Sequence, residues 1–435
     1  MTSTTINLRK QLFQLYDTVK GGKVRSHLED LNSLSENLNS EDIANRQREN
    51  LNLLIEEISK HVPAYSRYNQ YSDLEEMPVI SKEELKKNYE SFFSDKFEKN
   101  ALVEAKTSGS YGTPFSFFMT KDRKARQQAE IIFFGKSSGY YIGQKHAYIR
   151  STVKSSLKLW LQNELLISPS VVNEKYLSET RERLIESKAE LLIGYPTVIG
   201  NIASYCLSVG DTPDTFAVKG VITTSEPLTE DTRKTIIECF DTEVLSRYSS
   251  EELGVVAQEC GICKEYHTNH YTHIIEVLKL NSDERAEPGE LGRVVVTDLY
   301  NRAFPLVRYD TGDLAEYVPA SINKCGVPAL KNLQGRAIEV IYTTAGEKIT
   351  PMAINGVFRD NEDSDKIIQY QFIQEDEKKY RLLLQLIGKN LSTEPIVDAL
   401  KEKLGQDADV NIEFVAHIPA LKSGKRPYII NNYKK

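Results

Sequence analysis

The chain has no run approaching the roughly 18 consecutive apolar residues that a membrane-spanning helix needs, so no membrane partner is expected. Its opening segment, Met1–Lys10, lacks the apolar core of a secretory signal, and a cytoplasmic address is the expectation. There is no basic block either. Lys and Arg number 55 against 62 Asp and Glu, the net charge is −7, and the positive charges are scattered, which argues against a nucleic-acid partner. Cysteines are few and odd in number, five in all, so a disulfide framework is not expected. No internal repeat and no low-complexity tract is found.

What is present is enough for a large core, since 435 residues at 40% hydrophobic suffice for two or three domains. Leu8, Leu12, Leu15, Tyr16 and Val19 share one helical face, as do Leu51, Leu54, Ile55 and Ile58, and Ser81 with Glu84 makes a capping-box pattern. Residues 1–100 therefore read as a helical preamble. A helix is expected from Lys121 to Phe134. Between Leu191 and Tyr248, strands at Leu191–Ile193, Val218–Thr223 and Val244–Ser246 alternate with helices as in a parallel sheet. Strands at Ile274–Leu280 and Arg293–Thr297 add β structure. After Gly335-Arg336 the pattern restarts, with a helix around Ala353–Phe358, strands at Ile367–Gln374 and Tyr380–Leu386, a helix at Pro395–Leu404 and a strand at Asn411–Val415. The fold class expected is α/β: a large multi-sheet N-terminal domain, 1–335, and a small α+β C-terminal domain, 336–435.

Residues 107–114 read Thr-Ser-Gly-Ser-Tyr-Gly-Thr-Pro, between strand-like runs at Leu102–Ala105 and Phe115–Met119. Backbone N–H groups approach an anion closely where side chains are small, which Gly109 and Gly112 allow. Hydroxyls at Thr107, Ser108, Ser110 and Thr113 add donors. The loop lacks the lysine of a P-loop. It can hold phosphate or be an ordinary hairpin loop, and other segments must decide.

Four such segments follow in order: Thr224-Ser-Glu-Pro227, Tyr248-Ser-Ser-Glu-Glu-Leu-Gly254, Arg308-Tyr-Asp-Thr-Gly-Asp313 and Ser423-Gly-Lys-Arg426. Together with Gly335-Arg336 and the loop, they resemble the adenylate-forming superfamily, and within it the phenylacetate-CoA ligase and CapK-like branch. The resemblance runs from about Val62 to Arg426. It implies that Thr107–Thr113 grips the β- and γ-phosphates of ATP and that Ser225, Glu226 and Pro227 line the adenine pocket. Tyr248 would flank adenine, Ser249, in place of the usual glycine, would lie in the ATP-binding set, Glu252 would hold magnesium, Asp313 and Arg336 would bind the ribose, and Lys425 would be the catalytic lysine. Glu251 stands where the family has a hydroxyl residue, which leaves the metal ligand open between Glu251 and Glu252. Asp310 replaces the usual arginine. The small domain would rotate about Arg336 and Glu339 between acyl-AMP formation and acyl transfer.

The chemistry asks for such groups. A carboxylate is a poor electrophile, and its attack on the α-phosphate of ATP activates it as an acyl-AMP. Two anions meet in that step, so a magnesium ion near Glu252 and a cation such as Lys425 must offset their repulsion. The expected activity is ATP- and Mg2+-dependent activation of a carboxylic acid, with acyl transfer to coenzyme A. The alternatives are transfer to an amine or hydroxyl in polysaccharide or metabolite tailoring, and a noncatalytic ATP- or acyl-binding protein. Phe134, Tyr140, Tyr141 and Tyr195 are candidate walls for an aromatic or medium-sized apolar acid, or core aromatics. Whether the chain forms a dimer is left open.

Cys260-Gly-Ile-Cys263, His267 and the distant Cys325 add up to a Cys3His set suited to tetrahedral structural zinc, or to unmetallated thiols. The family likeness supplies a Cys-x-Cys-Gly in the later position. Asn323 stands at its first cysteine, and Cys263 is the expected replacement ligand.

Overall fold

The computed structural model describes residues 3–37, 40–106, 116–150, 154–168, 174–334, 341–346, 348–349, 354, 357–358, 366–386, 391–418 and 427–433. It separates into two compact units, one built mainly of Met1–Thr311 with Ala315–Asn332, the other mainly of Leu333–Leu421 with Lys425–Lys435.

The first unit opens with helices Ser3–Val19 (α1), Lys23–Asn37 (α2), Ser40–His61 (α3) and Lys82–Lys87 (α4). Asp17 accepts from the N–H groups of Val24 and Arg25 at the start of α2, and Ser81 accepts from Glu84 N at the start of α4. Leu54, Ile55 and Ile58 are buried, but the apolar stripe of α1 is not: Leu8, Leu15, Tyr16 and Val19 are exposed, while Phe13 packs toward Val24 and Leu31.

Val103–Lys106 (β1) and Ser116–Met119 (β2) form an antiparallel ribbon, Val103 facing Met119 and Lys106 facing Ser116. Thr120 caps the next helix, Lys121–Gly135 (α5), by accepting from Arg123 N. There follow His146–Ile149 (β3), Ser156–Gln162 (α6), Glu164–Ile167 (β4), Glu174–Ser187 (α7), Leu191–Gly194 (β5), Pro196–Ser208 (α8), Gly220–Thr224 (β6), Glu230–Phe240 (α9) and Val244–Ser250 (β7). The remaining strands are Gly254–Glu259 (β8), Tyr266–Thr268 (β9), His273–Leu278 (β10), Leu291–Asp298 (β11), Tyr309–Val318 (β12) and Ala329–Gln334 (β13). Strands β3 to β13 make one eleven-stranded sheet in the order β10-β11-β12-β13-β9-β8-β7-β6-β5-β3-β4, parallel from β7 through β4.

Helices α7, α8 and α9 cover one face of the parallel part. Ile149, Leu192 and Val221 of the sheet meet Leu184, Val198, Ile202 and Ile236 there in a fully apolar core. The other face carries a smaller cluster, Leu191, Ile193 and Ile222, against Tyr140 and Tyr148. In open parallel sheets, ligands bind outside the carboxyl ends of the strands.

The second unit holds the ribbon Ile341–Tyr342 (β14) with Lys348–Ile349 (β15), then Ile367–Gln374 (β16), Lys379–Leu386 (β17), Glu394–Leu404 (α10), Asp409–Phe414 (β18) and Ile429–Asn431 (β19). Its sheet runs β18-β17-β16-β19, with β17 and β18 parallel across α10. Phe372, Leu382 and Leu384 pack against Ile396, Leu400 and Leu404. Of the expected helix around 353–358, only Ile354, Val357 and Phe358 lie among the described residues, and all three are buried in this core. No helix among the described residues is long and apolar enough to cross a membrane.

Candidate active site

Strand, loop, strand is the context found around residues 107–115, which themselves lie outside the described residues. The chain leaves that loop through β2 into the first turn of α5, and there Arg123 is buried and held by several hydrogen bonds. Its Nε donates to Asp298 at 2.8 Å, Nη1 to Glu130 at 3.0 Å and Nη2 to the Leu253 carbonyl at 2.6 Å, all with no side-chain exposure. Arg126 donates to Thr272, to Asp30 of α2 and to the Tyr271 carbonyl. Gly254 has φ +79°, and a Cβ there would come within 2.8 Å of Glu130 Oε2, so the turn after Leu253 requires glycine.

This network fixes the Tyr248–Glu252 segment to the exit of the loop. Glu252 is buried and accepts from Tyr309 Oη at 3.3 Å, whereas Glu251 is exposed and its carbonyl accepts from Gln127. Ser249 Oγ lies 3.2 Å from Thr224 Oγ1, joining the ends of β7 and β6. Ser225 has φ +73°, and Glu226 accepts from Thr197 N and Oγ1 in the first turn of α8. The Glu226 carboxylate thus caps the first turn of α8.

Asp310, unexplained in the sequence, accepts from Arg293 Nη1 at 2.7 Å. The neighbouring Arg308 is buried, pairs with Glu276 through two nitrogens, and donates to the carbonyls of Glu75 and Met77, which fastens the preamble to β10. Asp313 is half-buried on β12. Arg336, Glu339 and Lys425 lie outside the described residues.

The four aromatic candidates separate. Tyr195 is buried in the core behind the sheet with Val198 and Ile149. Tyr141 is 40% exposed and donates to Glu190, at the amino end of β5 and far from the carboxyl ends where a ligand is expected. Phe134 is buried at the end of α5, and its carbonyl accepts from Gln258 Nε2. Tyr140 lies on the α5 side with Tyr148, against Leu191, Ile193 and Ile222. Phe134 and Tyr140 lie on the face opposite Tyr195, and Tyr140 packs against Leu191 and His146 near the amino ends of β5 and β3.

Cys260, Cys263, His267 and Cys325 converge, with all four ligand atoms within 4.8 Å of one another. Cys260 Sγ and Cys325 Sγ are 3.9 Å apart, close to the edge of about 3.8 Å of a tetrahedron with Zn–S near 2.3 Å. Cys263 Sγ is 3.2 Å from His267 Nε2. Asn323 donates to Cys263 Sγ and to Glu265, the outer hydrogen bonding that orients metal ligands. The tight turn places Ile262 N against Cys260 Sγ, and Lys264 at φ +59° closes it. A divalent metal fits this donor set.

A large α/β unit carrying the β1–β2 ribbon and a small α+β unit match the architecture of solved adenylate-forming ligases. The family described as the CapK C-terminal domain matches residues 341–432. Protein CapK of Staphylococcus aureus is 25% identical, covering 83% of this chain and 81% of that protein. A phenylacetate-coenzyme A ligase of Thermus thermophilus is 24% identical, covering 90% and 95%. Among solved structures, 2-hydroxyisobutyryl-CoA ligase in the postadenylation state aligns with a TM-score of 0.69 over 92% of each chain at 15% identity, and ATP-bound MatB of Rhodopseudomonas palustris with 0.53 over 78% of this chain and 68% of that one. The chain is thus similar over most of its length to CapK and to phenylacetate-coenzyme A ligase, and shares the fold of adenylate-forming ligases.

Proposed function

We propose that the protein activates a carboxylic acid with ATP and then transfers the acyl group to coenzyme A. A carboxylate oxygen of the acid attacks the α-phosphate, the bond from that phosphorus to the β-bridging oxygen breaks, and pyrophosphate leaves. In a second step the thiol sulfur bonds to the acyl carbon, AMP leaves and the thiol proton is released. The observation that carries the adenylation reading is the Arg123 bridge: one guanidinium fixes the exit of the Thr107–Thr113 loop to Leu253, the neighbour of Glu252.

In this reading the loop holds the β- and γ-phosphates, and Ser225, Pro227, Tyr248 and Ser249 surround adenine. Asp313 and Arg336 bind the ribose. Glu252 holds magnesium, favoured over Glu251 because it is buried and already oriented by Tyr309. Magnesium, when bound, neutralises phosphate charge. Lys425 stabilises the charge that develops at the α-phosphate, and Arg336 with Glu339 forms the hinge. Positioning and charge do the catalysis, with no general base. The names of the phenylacetate-coenzyme A ligase and 2-hydroxyisobutyryl-CoA ligase relatives favour a thiol acceptor. Transfer to an amine or hydroxyl is the second reading.

Lys425→Ala is expected to abolish acid-dependent pyrophosphate release while sparing acyl transfer from preformed acyl-AMP. Undiminished release would remove Lys425 from this role. Product analysis with and without coenzyme A separates the two acceptors.

The cysteine cluster is proposed to hold structural zinc through Cys260, Cys263, His267 and Cys325, tying the β8–β9 turn to the segment before β13. Metal analysis of purified protein should find about one zinc per chain, and the double variant Cys260→Ser, Cys325→Ser should lose it. Wild-type protein purified without metal would refute the site.

A further inference from the structure

Arg247 is a buried guanidinium without a counter-ion. It is 8% exposed, sits on β7 directly before Tyr248, and forms no ion pair among the described residues. Its Nε donates to Gln258 Oε1 at 2.7 Å, and Gln258 is anchored in turn on the Phe134 carbonyl and Ser137 Oγ. Its Nη2 is sealed from solvent with no hydrogen-bond partner. Burial without a partner costs a charged group heavily, and here it pushes the guanidinium down to about 10.

Strand register locates this cation. Tyr148, Ile193, Ile222 and Leu245 are successive cross-strand neighbours and so share the face that α5 covers. Thr224 and Arg247 form the next pair on that face, one step nearer the carboxyl ends of the strands. Phe134 and Tyr140 lie on the same side.

The surroundings hold further cations. The Arg150 guanidinium stacks 4.4 Å over the Tyr148 ring, and its Nε is likewise buried and unsatisfied. Arg150 and Lys154 share the single buried carboxylate of Glu164. Besides Glu164, Glu251 is the other carboxylate that acts on Tyr148.

We propose that Arg247 is an anion-binding residue of the acid site, and that the acid activated here carries a second negatively charged group, such as a second carboxylate, which meets this guanidinium. The inference rests on the adenylation reading and revises the expected apolar acid. Tyr140 and Tyr148 line the same face of the sheet, so the apolar part of the acid would lie against those rings while its far end reaches the cation.

The test compares succinate with butyrate, glutarate with pentanoate and adipate with hexanoate in ATP–pyrophosphate exchange. The full chain is expected to prefer the matched dicarboxylate in kcat/KM by about 100-fold, the scale of a charge pair in a dry site. Arg247→Met should bring that ratio to within about threefold of unity, and Arg247→Lys should keep part of it. An unchanged ratio in Arg247→Met overturns the proposal, as does an equal rise in KM for ATP with every acid, which would assign the cation to the nucleotide. Should no acid support exchange, the adenylation reading fails, and thermal shift judges the inference by itself. Dicarboxylates should then raise the melting temperature of the wild type and not that of Arg247→Met; equal shifts, or none, overturn it.

Discussion

Arg123 and Arg247 are both buried arginines on the α5 side of the sheet, and they are treated oppositely. Arg123 has two carboxylates and a carbonyl, each guanidinium nitrogen donating, and burial is offset by Asp298 and Glu130 so completely that its proton is held more tightly than usual. Arg247 has one neutral amide, and burial loosens its proton. A fold that encloses a charge for its own stability supplies the partner, as it does again for Arg308 with Glu276. A charge enclosed without one belongs to a site whose other half arrives with the ligand.

Breaking the paired arginine should have the largest effect. Arg123→Met leaves Asp298 and Glu130 buried without a counter-charge and should cost about 3–5 kcal/mol, read from urea denaturation. A loss under about 1 kcal/mol would make the two arginines equivalent. The same network sets an acid limit. Burial, reinforced by Arg123 and Arg126 against the pull of Asp298, lowers His273 from 6.5 to about 3. The unfolded chain gains that proton below 6.5 and the folded chain does not, so this contribution is complete above pH 6.5 and is lost as pH falls toward 3, at about 1.4 kcal/mol per unit. Denaturation midpoints unchanged from pH 6.5 to 4 would contradict it.

Arg247→Met, by contrast, should be neutral or stabilise the ligand-free protein by about 1 kcal/mol, since it removes an unpaired buried charge. A loss as large as that of Arg123→Met would reveal a structural role instead. Tyr141→Phe should do least. Its hydroxyl meets Glu190 at the amino end of β5, so KM for any acid should stay within about twofold. A larger change would restore Tyr141 as a pocket wall.

The motif order in the sequence carried the family, and long periodic segments carried most elements. Lys121 to Phe134, for example, differs from α5 by one residue at its end. The pair β3 and β4 went unseen because each strand is four residues long and carries His146 or Glu164, polar groups that pair only in three dimensions. Tyr195 and Tyr141, open in the sequence between pocket wall and core, fall in the core behind the sheet and at the amino end of β5, because spacing in the chain does not say which side of a sheet, or which end, a ring occupies. Arg123 was hidden in an ordinary amphipathic helix pattern. Arg247 had a signal, a charge directly after the expected strand Val244–Ser246, and only the register showed that it faces α5 rather than solvent.

The central claim is that this chain activates a carboxylate on ATP. Its most direct test is acid-dependent exchange of labelled pyrophosphate into ATP by the purified full chain with magnesium, beside Lys425→Ala. The account predicts exchange that depends on the acid, is strongest for a dicarboxylate and disappears in the variant; no exchange with any acid, or equal exchange in the variant, would contradict it.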